Sequence, residues 1–243
     1  MKKHFILSLV VLLAFGTANV SARVGLEAGY LNSTFHSDMS GHKATGDPFN
    51  GFRIGLSSDS KIVAGLSIRS GLGYSYMSHS DESKMNVLLT DLTLNNRQVE
   101  QYLDLPIHLS YGFSLFKIVK IFVYGGPRLV LGLSSKNMTD LSGTVFGIGN
   151  VSGNFEYNFY RNKISSDNLS DEIMTLVNNN LADTGKESRF DVEMGVGLGV
   201  ELFNVLTVKG GYDWGLINRY TGTYAEDNAL KRNQFHVSVG FLF

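Results

Sequence analysis

The stretch "FDVEMGVGLGVELF", residues 190–203, decides the fold. Gly195, Gly197 and Gly199 invite comparison with a phosphate-cradling loop. A dinucleotide site, however, needs Gly-x-Gly-x-x-Gly at a strand-to-helix junction, where amides at the helix start face the pyrophosphate. Here the period stays at two. Val192, Met194, Val196, Leu198, Val200 and Leu202 share one parity, and Asp191, Glu193, Gly195, Gly197, Gly199 and Glu201 the other. That is the alternation of a strand with one hydrocarbon face and one face of glycine and carboxylate.

The same alternation recurs along the chain and predicts eight strands. They cover 23–35, 51–56, 62–76, 99–113, 120–133, 190–203, 206–220 and 233–243. Pro106 and Pro127 each remove a ladder donor, so a bulge or local weakness is expected at both. The connections alternate in length. Long ones follow the odd strands (36–50, 77–98, 135–187 and 221–232), and brief ones follow the second, fourth and sixth ("SSDSK", "SLFKIV", "FN"). Short turns on one rim and long loops on the other are the topology of an outer-membrane barrel.

The start of the chain agrees with export. "MKKHFILSLVVLLAFGTANVSA", residues 1–22, has Lys2 and Lys3, then an apolar run from Phe5 to Phe15 and small residues before Ala22. This reads as a cleaved secretory signal, because the run is shorter than the roughly 20 residues a membrane-spanning helix needs. The barrel domain is then 23–243. Its formal charge is −3, from 22 acidic residues against 19 basic ones once Lys2 and Lys3 are subtracted from 21. Such a balance gives no reason to expect a nucleic-acid partner. With no cysteine, disulfides, thiolate metal sites and a cysteine nucleophile are excluded. No cofactor is expected, and no metal site.

The glycine and serine rows would make poor solvent cover, so the polar faces are placed inside and the hydrocarbon outside, against outer-membrane lipid. Tyr30, Tyr76, Tyr111 and Trp214 are then expected at the two membrane interfaces. An eight-stranded barrel has an interior just wide enough for side chains. Its inward charges are read as Glu27, Asp104, Asp191, Glu193, Glu201 and Asp213 against Arg53, Arg69, Arg128 and Lys209, with His108 and His236 nearby. Isolated burial would cost several kcal/mol per ion, so they must pair, and a filled lumen is expected. A small-solute or ion channel, in which these pairs exchange partners, is the alternative.

Other candidates lie outside the lumen. "HSDMSGH" (His36, Asp38, His42) and "SHSDES" (His79, Asp81, Glu82) offer rim residues for a hydrolase, but match no zinc signature and belong to two loops that would have to converge. The bland reading, solvated loops without catalysis, is preferred. In the long third loop, "TVFGIGNVSGNFEYNFYR" reads as a strand pair and "SDEIMTLVNNN" as a short helix capped by Ser170. Phe155, Tyr157 and Phe159 share a face that either contacts an extracellular glycan or protein ligand or packs its own hairpin.

Together, "YLDLP" (102–106), "YGGPRL" (124–129), "RFDVEMGVGLGVEL" (189–202), "YDWGLIN" (212–218) and the terminal phenylalanine resemble the PorT-type outer-membrane β-barrel proteins of Bacteroidota. The resemblance implies an integral barrel of the bacterial outer membrane, of about eight strands. Most such proteins have no defined molecular activity. "HVSVGFLF", with Phe241 and Phe243, resembles the signal read by the barrel assembly machinery. A monomer is expected.

Overall fold

The computed structural model describes residues 22–87, 90–115, 118–145, 149–168, 175, 178 and 186–243. No helix among them is long and apolar enough to cross a membrane. The strands are β1 (Ala22–Met39), β2 (His42–Thr45), β3 (Phe49–Val63), β4 (Leu66–Val87), β5 (Thr90–Leu115), β6 (Val119–Val145), β7 (Gly149–Asn158), β8 (Lys163–Ser165), β9 (Phe190–Leu202), β10 (Leu206–Gly215) and β11 (Asn228–Leu242). A one-turn helix, α1 (Tyr224–Asp227), precedes β11.

Every barrel pairing is antiparallel. The order β1–β3–β4–β5–β6–β9–β10–β11 closes on itself through β1 and β11, with Gly25 opposite Leu242 and Tyr30 opposite Val237, giving a ring of 8 strands. β2 folds back on β1, and β7 and β8 extend the β6 edge beyond the ring. The result is an all-β, up-and-down barrel, as the period predicts.

The strands are longer than the period-two reading. About 9–11 tilted residues cross a bilayer, whereas β4, β5 and β6 run for 22, 26 and 27 residues. Much of 77–98, expected as a loop, is therefore a hairpin that continues the barrel wall. Polar residues occupy both of its faces, so the apolar alternation stops while the backbone ladder does not.

The short-turn rim is also displaced. "SSDSK" belongs to β3, and the chain reverses at Ala64 and Gly65, where Gly65 takes φ +81°. The "FN" turn is where expected. Phe203 and Asn204 both have positive φ (55° and 59°), as a two-residue primed turn requires. The third strand thus begins at Leu66, not Ile62, and the seventh ends at Gly215, not Tyr220.

Neither proline makes a bulge. Pro106 stays opposite Arg128, and pairing resumes in the same register at Leu109 opposite Gly125. The irregularity lies higher, between Gln101 and Tyr102, where Leu133 is the extra residue on β6. Ser170, expected as a helix cap, lies outside the described residues, although Thr175 and Asn178 are helical.

The two faces of β9 separate as the sequence predicts. Asp191, Glu193 and Glu201 are buried, while Leu198 is 63% exposed in an outward hydrocarbon band that includes Leu26, Ile54, Leu109, Val123 and Phe241. The inward glycines have specific neighbours. Asp213 crosses directly opposite Gly195, Tyr124 opposite Gly197 and Phe122 opposite Gly199. A Cβ at Gly197 would strike the Tyr124 ring, and one at Gly199 the Phe122 ring. Two of the three glycines therefore seat aromatic rings.

Candidate functional site: a charge-filled lumen under an open chamber

The inward parity of every strand of the ring delivers a charge to the axis, and most of these charges join into one run of alternating sign. Lys209 Nζ meets Glu27 at 2.8 Å, Glu27 meets Arg53 at 3.0 Å, Arg53 meets Asp104 at 2.8 Å and Arg128 meets the same Asp104 at 3.3 Å. The run continues from Arg128 to Glu193 (3.5 Å), Arg232 (2.7 Å), Glu100 (3.3 Å), Arg219 (2.7 Å) and Glu187 (2.6 Å). Asp213 joins at Arg128 (2.8 Å) and His236 (3.2 Å), and Asp191 approaches Arg232 at 3.9 Å.

A second system occupies the short-turn rim. Arg23 and Arg69 each bind both Asp59 and Glu201, at 2.6–3.4 Å. Between the two lies an aromatic shelf. The Arg69 guanidinium sits 3.6 Å from the Phe122 ring centre, and Tyr124 stacks on His108 at 5.1 Å and hydrogen-bonds His236 at 2.9 Å.

All ten charges read from the sequence (Glu27, Arg53, Arg69, Asp104, Arg128, Asp191, Glu193, Glu201, Lys209 and Asp213) lie in these two systems. Sequence reasoning missed Arg23, Asp59, Glu100, Glu187, Arg219 and Arg232. Five were within reach of it. Arg23 has the parity of Glu27, Glu100 that of Asp104 and Arg219 that of Asp213, all inside the strands as read, while Asp59 has the parity of Arg53 and Arg232 that of Gln234, so extending those two strands by a few residues recovers them. Glu187 precedes its strand and belongs to a segment read as loop.

The waist is filled. Tyr102 donates to Gln234 Oε1 at 2.6 Å, Ser33 donates to the same oxygen at 2.9 Å, and Arg232 packs 4.2 Å over the Tyr102 ring. Tyr102, Met77, Gln234 and Arg232 are at most 2% exposed.

Above the waist, on the long-strand rim, a chamber of about 400 Å³ opens. Phe35 and Phe49 meet edge-on at 5.1 Å among its lining residues, and the walls include Asp47, His79, Asp81, Phe159, Glu187 and Tyr220. The rim segments do converge, as Ser37 and Met39 of the first line the chamber with His79 and Asp81 of the second, and His79 Nε2 lies 3.8 Å from Asp47. His36 is not there. It sits on the opposite parity from Phe35 and hydrogen-bonds Thr45 at 3.0 Å. Among the described residues no group of three or more His, Asp or Glu side chains could hold a metal.

The Phe155, Tyr157 and Phe159 face splits up. Tyr157 donates to Asn162 and meets Phe159 edge-on at 4.8 Å, packing its own hairpin. Phe159 lines the chamber and Phe155 remains exposed. Phe241 and Phe243 both point outward.

A closed antiparallel ring with a hydrocarbon exterior and an ionised interior defines a transmembrane β-barrel, because a bilayer leaves an open sheet edge without hydrogen-bond partners. Residues 17–220 match the model of the outer membrane protein beta-barrel domain, and the chain belongs to that family. The short-turn rim is accordingly periplasmic and the long-strand rim extracellular. No curated protein matches the sequence significantly.

Solved structures similar to this one include the attachment invasion locus protein Ail of Yersinia pestis (10% identity, 91% of this chain and 99% of that one, TM-score 0.37). Neisserial surface protein A (14%, 92% and 99%, 0.38) and the outer membrane protease OmpT of Escherichia coli (8%, 93% and 98%, 0.33) are others. At these scores the likenesses carry no functional argument; the assignment rests on the closed ring and the family match.

Proposed function

We propose that this protein is a closed outer-membrane barrel with a structural or partner-binding role, not a conduit and not an enzyme. The observation that carries the reading is the filled waist, where Arg232, Tyr102 and Gln234 are sealed from solvent inside an unbroken run of ion pairs. Ions would have to displace charges that already neutralise one another, at a desolvation cost of several kcal/mol each. Planar-bilayer recordings test this. Purified protein gives no steady conductance, and a steady current that vanishes when the waist is enlarged in bulk would overturn the reading.

The motif order from "YLDLP" to "YDWGLIN" supports placing the chain among the PorT-type barrels of Bacteroidota, exported by a signal cleaved after Ala22 and inserted as a monomer by the barrel assembly machinery. Outward Phe241 and Phe243 suit that machinery. Fractionation tests the placement, with heat-dependent gel mobility and recovery in the outer membrane as the expected result.

The alternative, a small-solute channel, has one observation in its favour. Two cavities of about 30 Å³ lie beside Arg53, His108 and Lys209, each with room for water. They lie on the periplasmic side of Tyr102, so they supply a vestibule and not a path.

A further inference from the structure

We infer that the extracellular chamber is a binding site for a cationic side chain, a lysine or arginine presented by an extracellular protein or peptide partner. The inference rests on the closed-lumen reading, since the filled waist is what gives the chamber a floor.

The chamber combines two features that select this chemistry. Its charged walls carry the carboxylates of Asp47 from the segment before β3 and Asp81 from β4, with Glu187, paired to Arg219, from the segment before β9, and among the described residues neither lysine nor arginine lines it. Asp47 is free to act, as its carboxylate is 80% exposed and its ion-pair contact is His79 at 3.8 Å. Asp81 accepts a long hydrogen bond from Asn96, at 3.4 Å. Phe35, Phe49, Phe159 and Tyr220 supply apolar walls for an alkyl stem and ring faces for a cation. The molecule already uses this chemistry beneath the chamber, where the Arg219 guanidinium lies 4.9 Å from the Phe35 ring centre. At about 400 Å³ the chamber has the size of a side-chain or small-ligand pocket.

Glu187 supplies a signature. Burial pushes its carboxyl up to about 7, against the opposing pull of Arg219 and Arg232, while Glu100 adds to the rise. Tyr220 bridges to it across the backbone, and the Tyr160 hydroxyl is also in its field. A cation entering the chamber favours the ionised form, so binding near pH 7 expels protons from Glu187.

The test is calorimetric titration of the full-length protein in non-ionic detergent with acetyl-lysyl-glycinamide. The 6-hydroxynorleucine peptide, with the same number of heavy atoms in its side chain but no charge, is the control. The charged peptide is expected to bind at least ~10-fold tighter, and Asp47→Asn combined with Asp81→Asn should weaken it by ~10-fold. At pH 7, titrations in buffers of different ionisation enthalpy should show up to about half a proton released per peptide, and none with Glu187→Gln. Retained heat-dependent gel mobility shows that each variant is folded. Equal binding of the two peptides, no binding of either, or wild-type affinity in the folded double variant overturns the inference. Bilayer recordings separate this failure from that of the closed-lumen reading, because a non-conducting protein that binds no peptide refutes only the chamber.

Discussion

Two ion-pair systems share the barrel interior, built from the same residue types, and differ in what surrounds them. In the long run from Lys209 to Glu187, the waist members Asp104, Arg128, Glu193 and Arg232 are 0–4% exposed in their side chains. In the rim quartet the Arg23 side chain is 20% exposed. A buried ion that loses its partner has no water to turn to, and breaking such a pair costs about 3–5 kcal/mol. An ion at a wet rim is rehydrated, and the same loss falls toward 0–1 kcal/mol. Identical chemistry thus locks the waist and only trims the rim.

The comparison breaks most sharply at Arg128, the branch point of the run. Arg128→Leu leaves Asp104, Glu193 and Asp213 short of a cation together. Denaturant unfolding in liposomes should show a loss of about 3–5 kcal/mol. A variant within 1 kcal/mol of wild type would mean that the run is not a cooperative unit.

The next effect belongs to the shelf between the systems. Gly197→Leu drives a side chain into the Tyr124 ring and should cost about 1–3 kcal/mol by overpacking, while Leu198→Val on the lipid face should cost less than about 1.5 kcal/mol. Unfolding midpoints of the pair rank the two faces, and the opposite order would mean that Gly197 faces lipid.

The lumen was legible from "FDVEMGVGLGVELF" because strand geometry ties parity to facing, so six residues of alternation fix where the next carboxylate points. Asp59 and Arg232 escaped because strand ends were drawn where the hydrocarbon stopped. Hydrocarbon marks contact with lipid, whereas the ladder that carries β4 and β5 onward needs only backbone partners. The chamber was not legible at all. Asp47, His79 and Glu187 come from three separate segments, and no local period reports that such segments converge. Gly197 and Gly199 were correctly placed inside, yet their tenants, Tyr124 and Phe122, follow from the register between β6 and β9, which the sequence does not print.

A third test sharpens the upper end of the run, where the chain leaves the membrane. Glu187 has a carboxyl raised to about 7 in the folded protein, from an ordinary 4.5. Between those values the native state binds more protons than the unfolded one. Its contribution is therefore full below about pH 4.5 and is lost as pH rises through 7. Glu187→Gln should remove a pH-dependent component of about 2–3 kcal/mol between pH 5 and pH 8, seen as a flatter plot of unfolding midpoint against pH. An unchanged slope would mean that Glu187 is ionised throughout that window.

The smallest effect is expected at the periplasmic rim. Arg23→Gln removes contacts at 2.9 Å to Asp59 and 2.6 Å to Glu201, distances as short as any in the waist. Distance alone would make it as costly as Arg128→Leu. Two physical differences argue otherwise: Arg69 still reaches both carboxylates, at 3.0 and 3.4 Å, and the Arg23 side chain is itself 20% exposed, so less of its interaction is made out of water. Unfolding free energy should fall by no more than about 1 kcal/mol, and less in high salt. A loss equal to that of Arg128→Leu would show that the quartet, despite its exposed arginine, is as dry as the waist.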